Sequence, residues 1–323
     1  MFRWKKLGKI FDPTQENNRP WIRQFSQAPS ALVLDGVVRI YFACRPEPDA
    51  NGDFVSLSAF AEFDRRNPTQ LLRVCKEPLL KLGSIGTFDE FGTYFTSVVR
   101  NGADVLAYYV GYTRCESVPF TIGIGLAVSK DGGETFERLG AGPVVPCTLD
   151  EPFFLTVPRV RRFNDRWYMW YSAGKRWLQT TGRVEPVYQI RMASSSDGIN
   201  WVKEGRDLIE CRIGTNECQA CPDVFEYGGS FHMFFCYRSS INYHGKEGGY
   251  RIGYASSTDL LNWKRDDSVA GLNISEAGWD SEMVSFPHVF FMDGDVYLLY
   301  LGNNIGQHGF GIAKLESFVA PTP

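Results

Sequence analysis

PRVRRFNDRWYMWYSAG, residues 158–174, decides the fold of this chain. A proline opens it, an alternating run reaches Phe163, Asn164-Asp165 turns the chain, and a second run rich in aromatics ends at Gly174. Alternation at period two marks strands, and an Asn-Asp pair supplies the positive φ that a tight hairpin needs. The same pattern recurs at PSALVLDGVVRIYFACR (29–45), TSVVRNGADVLAYYVGY (96–112), PDVFEYGGSFHMFFCYR (222–238) and PHVFFMDGDVYLLYLGN (287–303). The five starts lie 67, 62, 64 and 65 residues apart, and each copy carries its own turn pair, such as Asp35-Gly36 and Asp293-Gly294.

A second pattern follows the three middle copies: AVSKDGGETFERL (127–139), ASSSDGINWVKEG (193–205) and ASSTDLLNWKRDD (255–267). Each reads as a strand, an Asp-containing turn and an aromatic that opens another strand. Asp131, Asp197 and Asp259 are 66 and 62 residues apart, so both patterns share one period. Two hairpins per period make a four-stranded antiparallel sheet, and five such sheets set radially make an all-β, five-bladed propeller. The ends complete it. Arg3-Trp4-Lys5-Lys6-Leu7 matches the fourth-strand openings at Trp201 and Trp263, while residues 309–314 read as a third strand. The N-terminal strand therefore joins the last blade, which covers an open sheet edge. Residues 1–323 are read as one propeller domain.

Bulk properties narrow the partners. Net charge is −3 and the pI about 5.9, which offers no electrostatic footprint for nucleic acid or an anionic membrane. No apolar run reaches the roughly 18 residues that cross a bilayer. The basic N-terminus lacks a following apolar segment, so a signal peptide is not expected, and the protein is expected to be cytoplasmic with its eight cysteines reduced. Cys211, Cys218 and Cys221 lack a second CxxC and a spaced His pair, so neither metal nor cofactor is expected.

In a propeller the segments entering the first strands and leaving the second strands share one face, so a site is sought there. The entry segments carry Asp89, Glu151, Glu217, Asp280 and Glu282. Asp89, Glu151 and Asp280 stand seven residues before the repeat start, Glu217 and Glu282 five before it. Carboxylates converging on a channel mouth suit glycosidic chemistry, where one acid protonates the leaving oxygen and another group activates the acceptor. The reading assigns Glu217 as general acid, Asp280 or Glu282 as its partner, and Glu151 as a modulator of both. Exit segments add Arg45, Arg114, Lys175 and Arg238, cations that a neutral sugar does not require and an anionic one does. Gln27, Asp89, Trp279 and His288 complete the expected substrate-binding set. His244 lies in a Gly-rich loop, NYHGKEGGY (242–250), read as a lid.

These residues resemble a known superfamily. The five-fold repeat with Ser-x-Asp-x-x-x-Trp turns at 195–201 and 257–263 is similar to the propellers of glycoside hydrolase families 43, 32 and 130. Residues 129–136 also resemble the Asp box of sialidases, which have six blades. Glu217-Cys218, followed after three further residues by Pro222-Asp223, resembles the family 32 acid/base motif Glu-Cys-Pro-Asp, which implies the acid role for Glu217. Families 43 and 32 place an Asp base at the start of the first blade, where this chain has Ser26-Gln27-Ala28-Pro29 without a carboxylate. His288 matches a last-blade histidine that family 43 members hold near a channel ion. Family 130 members are phosphorylases with cations at the mouth, and their first-blade Tyr-Arg ending is similar to Ile40-Tyr41-Phe42-Ala43-Cys44-Arg45. The resemblance implies an enzyme that cleaves or forms a glycosidic bond in a carboxylate-lined pocket with a basic rim, acting on a carbohydrate or sugar phosphate. A glycosyltransferase with an activated anionic donor and a non-catalytic sugar-binding propeller are the alternatives.

Overall fold

The computed structural model describes residues 1–319. After the N-terminal strand β1 (Phe2–Phe11), the first blade is β2 (Gln24–Val33), β3 (Val37–Arg45), β4 (Leu57–Asp64) and β5 (Leu71–Val74). The second is β6 (Gly92–Asn101), β7 (Asp104–Thr113), β8 (Thr121–Ser129) and β9 (Glu137–Arg138). The third is β10 (Leu155–Phe163), β11 (Arg166–Thr180), β12 (Arg183–Ser195) and β13 (Val202–Lys203). The fourth is β14 (Glu217–Tyr227), β15 (Ser230–Ser239), β16 (Arg251–Ser257) and β17 (Lys264–Arg265). The last is β18 (Ser285–Met292), β19 (Asp295–Leu301) and β20 (Phe310–Phe318), with β1 as its outermost strand. Every pairing within these sheets is antiparallel. Each first strand packs against the first strands of both neighbouring blades, and β18 returns to β2, so the five-bladed ring is closed.

The expected turns form as their residues dictate. Asn164 and Asp165 take φ of 48° and 61°, and Asp293 and Gly294 take 53° and 83°, the left-handed pairs that match the twist of a hairpin. In the Ser-x-Asp turns the carboxylate serves the backbone. Asp197 accepts the N–H groups of Ile199 and Asn200, both at 2.8 Å, and Asp259 accepts those of Leu261 and Asn262. Burial opposes ionisation of Asp131, but hydrogen bonds from the Ser129 and Thr135 hydroxyls and from the Thr135 and Glu134 N–H groups hold its carboxyl down at about 2.

Closure by the N-terminus is a matter of apolar packing as well as pairing. Phe2 is fully buried and its ring lies 4.3 Å from Phe318, while Phe11 meets Phe42 and Phe310 across the seam to the first blade. Each aromatic buried this way is worth about 1.5–3 kcal/mol. One irregularity repeats where the first strands line the axis. Ala28, Val157, Cys221 and Phe286, each just before the repeat proline, take φ of 50°, 44°, 51° and 52°. In β14 the register slips there, from Ala220↔Cys236 to Asp223↔Phe234. A bulge of this kind re-aims the side chains on either side of it, and so separates an outer half of the strand from an axial half.

Candidate functional site

The acids that precede the first strands do not meet at the axis. Each is drawn sideways into its own blade by a cation from the fourth strand. Asp89 accepts from Arg138 Nε at 2.6 Å and from the Tyr109 hydroxyl at 2.9 Å. Glu151 lies 2.6 Å from Lys203 Nζ and accepts from the Tyr171 hydroxyl and Arg191. Asp280 accepts from Lys6 Nζ at 2.6 Å and from the Tyr300 hydroxyl at 3.2 Å. In the fourth blade Phe235 stands where the others have tyrosine, and Glu217 is held differently. Its Oε1 accepts from Arg265 Nη1 (2.6 Å) and Gln219 Nε2 (2.8 Å), its Oε2 from the backbone N–H groups of Arg212 and Ile213 (2.7 and 2.9 Å). In the first blade buried Ile22 replaces the acid. All four carboxylates are buried, and each is tied to the fourth strand of its own blade. They are structural clasps between the first and fourth strands.

At the axis stands Asp223. Burial opposes its ionisation, but Arg161 at 2.7 Å, with His288 and Arg159 close by, holds its carboxyl well below the usual range. It also accepts the Val289 N–H. Burial pushes the His288 imidazole down to about 4 against the pull of Asp223, so at neutral pH the charge pair is Arg161 and Asp223. Arg159 crosses the channel to donate to the carbonyls of Thr96 and Pro29. The channel ion that the family resemblance implies near His288 does not fit these residues, because two guanidinium groups already supply the positive charge there.

Above them opens a cavity of about 410 Å³ to which the first strands of all five blades contribute, through Gln27, Tyr94, Thr156, Ala220 and Phe286. Aromatic rings form much of its wall, among them Tyr112, Phe120, Phe154, Tyr188 and Tyr250. Arg45 and Arg238 reach into it from the ends of β3 and β15. Neither has a carboxylate partner among the described residues. Arg45 stacks over Phe25 at 4.5 Å and its buried Nε has no hydrogen-bond acceptor. Arg238, 7% exposed, lies 3.7 Å over the Tyr243 ring, donates to the Ser239 carbonyl and the Tyr188 hydroxyl, and leaves its Nε without an acceptor. A larger groove of about 790 Å³ runs along the outer edges of the first and second blades; its Arg73, Glu134 and Arg138 are paired within those blades, and its other charges, Lys76, Glu77, Lys81 and Glu137, are exposed to solvent. The axial cavity, built by all five blades and holding the buried Arg238 without a counter-charge, is the better candidate.

Of the residues expected to bind substrate, the cavity gathers Gln27, Arg45 and Arg238. It does not gather the expected catalytic group. Glu217, Asp280 and Glu151 are clasped inside separate blades, and Glu282 uses its backbone, donating to Asn303 and accepting from Arg251. None of these four acids lines the pocket. Arg114 is turned outward to Asp49 and Asp53, Lys175 to Asp207, and Asp89 to Arg138. Trp279 packs on Tyr300 beneath the last blade, and His288 sits at the axis beside Asp223 rather than on the cavity wall. Tyr243 does line the cavity, while His244 beside it begins a one-turn helix, α1 (Gly245–Gly248).

Sequence reasoning missed Arg183 and Glu185, which enter the cavity from the third blade. The signal in its length was slight. From the hairpin turn to the Ser-x-Asp serine the third blade is longer than the second or fourth by about two or three residues, and WLQTTGRVEP (177–186) lies where those blades have the loops 114–120 and 240–250. It missed Tyr188 because aromatics of the wall and of the blade interfaces alternate alike. The clasps had a signal too: Lys6, Arg138, Lys203 and Arg265 each stand two residues after the aromatic that opens a fourth strand.

No protein-family model matches the chain. Two curated relatives, the uncharacterized proteins MT1551 and Rv1502 of two Mycobacterium tuberculosis strains, are each 34% identical to it over 315 residues, spanning 97% of this chain and 99% of theirs. Among solved structures, a complex of BT0996 with RGII matches with a TM-score of 0.76 at 18% identity, over 99% of this chain and 95% of that one. A glycoside hydrolase matches with a TM-score of 0.77 at 18% identity, over 100% and 96%. A β-1,2-mannobiose phosphorylase from Listeria innocua, in complex with β-1,2-mannobiose, matches with a TM-score of 0.68 at 12% identity, over 97% and 96%. The five-bladed fold of this chain is thus the fold of glycoside hydrolases and of a disaccharide phosphorylase. Among the described residues no helix is long and apolar enough to cross a membrane.

Proposed function

The chain belongs to the family of the Mycobacterium tuberculosis proteins MT1551 and Rv1502, and from its axial cavity we propose that it is a carbohydrate-active enzyme that cleaves or forms a glycosidic bond with phosphate, or a phosphorylated sugar, as reactant. The observation that carries this is the pair Arg45 and Arg238, two guanidinium groups without carboxylate partners on an aromatic cavity. Burying a cation is costly unless an anion or a full set of acceptors compensates. Aromatic faces compensate in part, and a bound anion completes the set. The same flat rings offer their faces to the C–H surface of a sugar.

The lack of a clustered pair of carboxylates points the same way. Hydrolysis needs a base to activate water as well as an acid for the leaving group. Ionised phosphate is already a nucleophile, so a pocket that supplies cations in place of a base is suited to phosphorolysis or its reverse. The free cysteines, five of them buried, agree with the cytoplasm, where phosphate and sugar phosphates are substrates. Residues 1–323 act as one domain in this reading, with a carbohydrate or sugar phosphate as partner.

The test is calorimetric titration with inorganic phosphate, together with turnover of an oligosaccharide panel with and without phosphate. Wild type is expected to bind phosphate and to release sugar only in its presence. Arg238→Ala should weaken phosphate binding about 10- to 100-fold, the loss of a charge-assisted contact of about 1.5–3 kcal/mol. Equal turnover of a neutral glycoside in phosphate-free buffer would refute the proposal.

A further inference from the structure

We propose that Glu185 is the proton donor of this cavity, delivered by an extended hairpin of the third blade; the proposal rests on the phosphorolytic reading above. Strands β11 and β12 run for 15 and 13 residues, against 10 and 9 for β7 and β8 and 10 and 7 for β15 and β16. Their extra rungs, from Arg176↔Val187 to Thr180↔Arg183, continue past the blade. Trp177 roots this extension, its ring 5.3 Å from Phe120 and 5.5 Å from Phe154 on the cavity wall. Leu178↔Glu185 is one of the added rungs, so the hairpin exists beyond what the propeller requires and carries Glu185 with it.

Of the residues that line the cavity, Glu185 alone has a carboxyl group. It is 6% exposed. Its charged neighbour is Arg183, whose Nε lies 2.7 Å from Oε1 and whose side chain is 49% exposed to solvent. The contrast with Glu217 is chemical. The Glu217 carboxylate accepts four donors inside its blade and lines no part of the cavity, whereas Glu185 lines the cavity and has Arg183 as its one charged partner. The ring of Tyr243 ties the two halves of the site together. Arg238 lies 3.7 Å over it and Arg183 5.4 Å from its centre, which sets the acid-bearing strand beside the proposed phosphate site.

The step balances with one acid. The bond between the anomeric carbon and the leaving oxygen breaks, and its electron pair stays with that oxygen, which takes the proton of Glu185. A phosphate oxygen forms the new bond to the anomeric carbon. The Glu185 carboxylate recovers its proton from solvent at the cavity mouth, and phosphate needs no base.

The experiment compares wild type, Glu185→Gln and Glu185→Asp on an oligosaccharide panel and on nitrophenyl glycosides, all with inorganic phosphate, with melting temperature and calorimetric phosphate binding measured for each. Nitrophenolate leaves without a proton, so the two substrate classes separate acid catalysis from a structural effect. Glu185→Gln should lose about 10²–10⁴-fold on sugar leaving groups, keep most of its rate on nitrophenyl glycosides, and bind phosphate as wild type does. Glu185→Asp should recover part of the loss. Wild-type rates in Glu185→Gln, or equal losses on both substrate classes, overturn the role of Glu185 and leave the phosphorolytic reading standing. A wild-type protein that binds no phosphate, or turns over none of the substrates, overturns that reading and the role of Glu185 with it.

Discussion

Replacing Glu217 by Gln separates a clasp from a catalyst. The carboxylate is fully buried, with Arg265 and Gln219 on one oxygen and the N–H groups of Arg212 and Ile213 on the other. An amide has one acceptor oxygen. If that oxygen stays with Arg265, the new NH₂ faces two backbone donors that no longer find an acceptor. A donor left unsatisfied costs about 1–3 kcal/mol when buried, and these two, on the exposed residues Arg212 and Ile213, fall at the low end. Arg265 is only partly orphaned, because Asp267 remains at 2.9 Å and the Glu210 carbonyl at 2.6 Å. The sum is a loss of about 3 kcal/mol. For a chain of 323 residues the unfolding entropy is of order 0.7 kcal/mol/K, so the melting temperature should fall by about 4 °C. Thermal unfolding and turnover are measured on the same preparation. The clasp argument expects the fall in melting temperature, with kcat within about threefold of wild type wherever the variant is folded. A variant that melts within about 1 °C of wild type yet loses about 100-fold in turnover is refutation, since that is the signature of a missing general acid.

Two further perturbations test the frame around the site. His288 is neutral in the fold down to about pH 4, whereas the unfolded chain takes up a proton near the ordinary 6.5, so the unfolded state binds more protons between these values. Stability should therefore be level above pH 6.5 and fall as pH drops toward 4, by about 2 kcal/mol at pH 5 from this group. Urea midpoints at pH 7 and pH 5 check it: His288→Asn should show a shallower fall than wild type, and parallel falls in the two proteins contradict the account. Deleting residues 1–11 removes β1, which bares the edge of β20 and leaves Asp280 without Lys6. Size-exclusion chromatography should then show oligomers or aggregate in place of the native species; an unchanged elution volume and melting temperature would show that β1 does not close the ring.

Much of the architecture is legible in the chain because turn chemistry is local. Asn164-Asp165 and Asp293-Gly294 specify left-handed turns wherever they stand, and counting their recurrences counts the blades. The N-terminal strand is legible for the same reason, since Arg3-Trp4-Lys5-Lys6 repeats the chemistry of the fourth strands at Trp201 and Trp263. The direction of the entry acids is not local. Whether Glu217 faces the axis or Arg265 depends on the bulge at Cys221, a non-glycine residue at φ of 51° whose conformation no propensity announces. Spacing from the repeat proline places Glu217 two residues away from the position of Glu151, and a shift of two leaves a strand residue on the same face. Both acids accordingly point to fourth-strand cations. The proposed anion site was legible only as a list of cations. Separating Arg45 and Arg238 from Arg114 and Lys175 requires knowing that the latter two find Asp49 and Asp207.

These particulars carry a wider consequence for reading a repeat protein. A feature present in every copy answers a need that every copy has. Four of the five blades must tie a short outer strand to an inner one, and they do so with an acid, a fourth-strand cation and, in three of them, a tyrosine. Chemistry on one ligand at one axis has no such symmetry. It requires different groups from different sides, so it should be sought where the copies disagree. Here they disagree at Arg45 and Arg238, which lack the acidic partners found by Arg114 and Lys175, and at the hairpin that the third blade alone extends over the cavity. The recurrence that makes the acids conspicuous in the sequence is therefore evidence against their being catalytic. The singular Glu185, which no repeat marks, is where a catalytic carboxylate of this ring belongs.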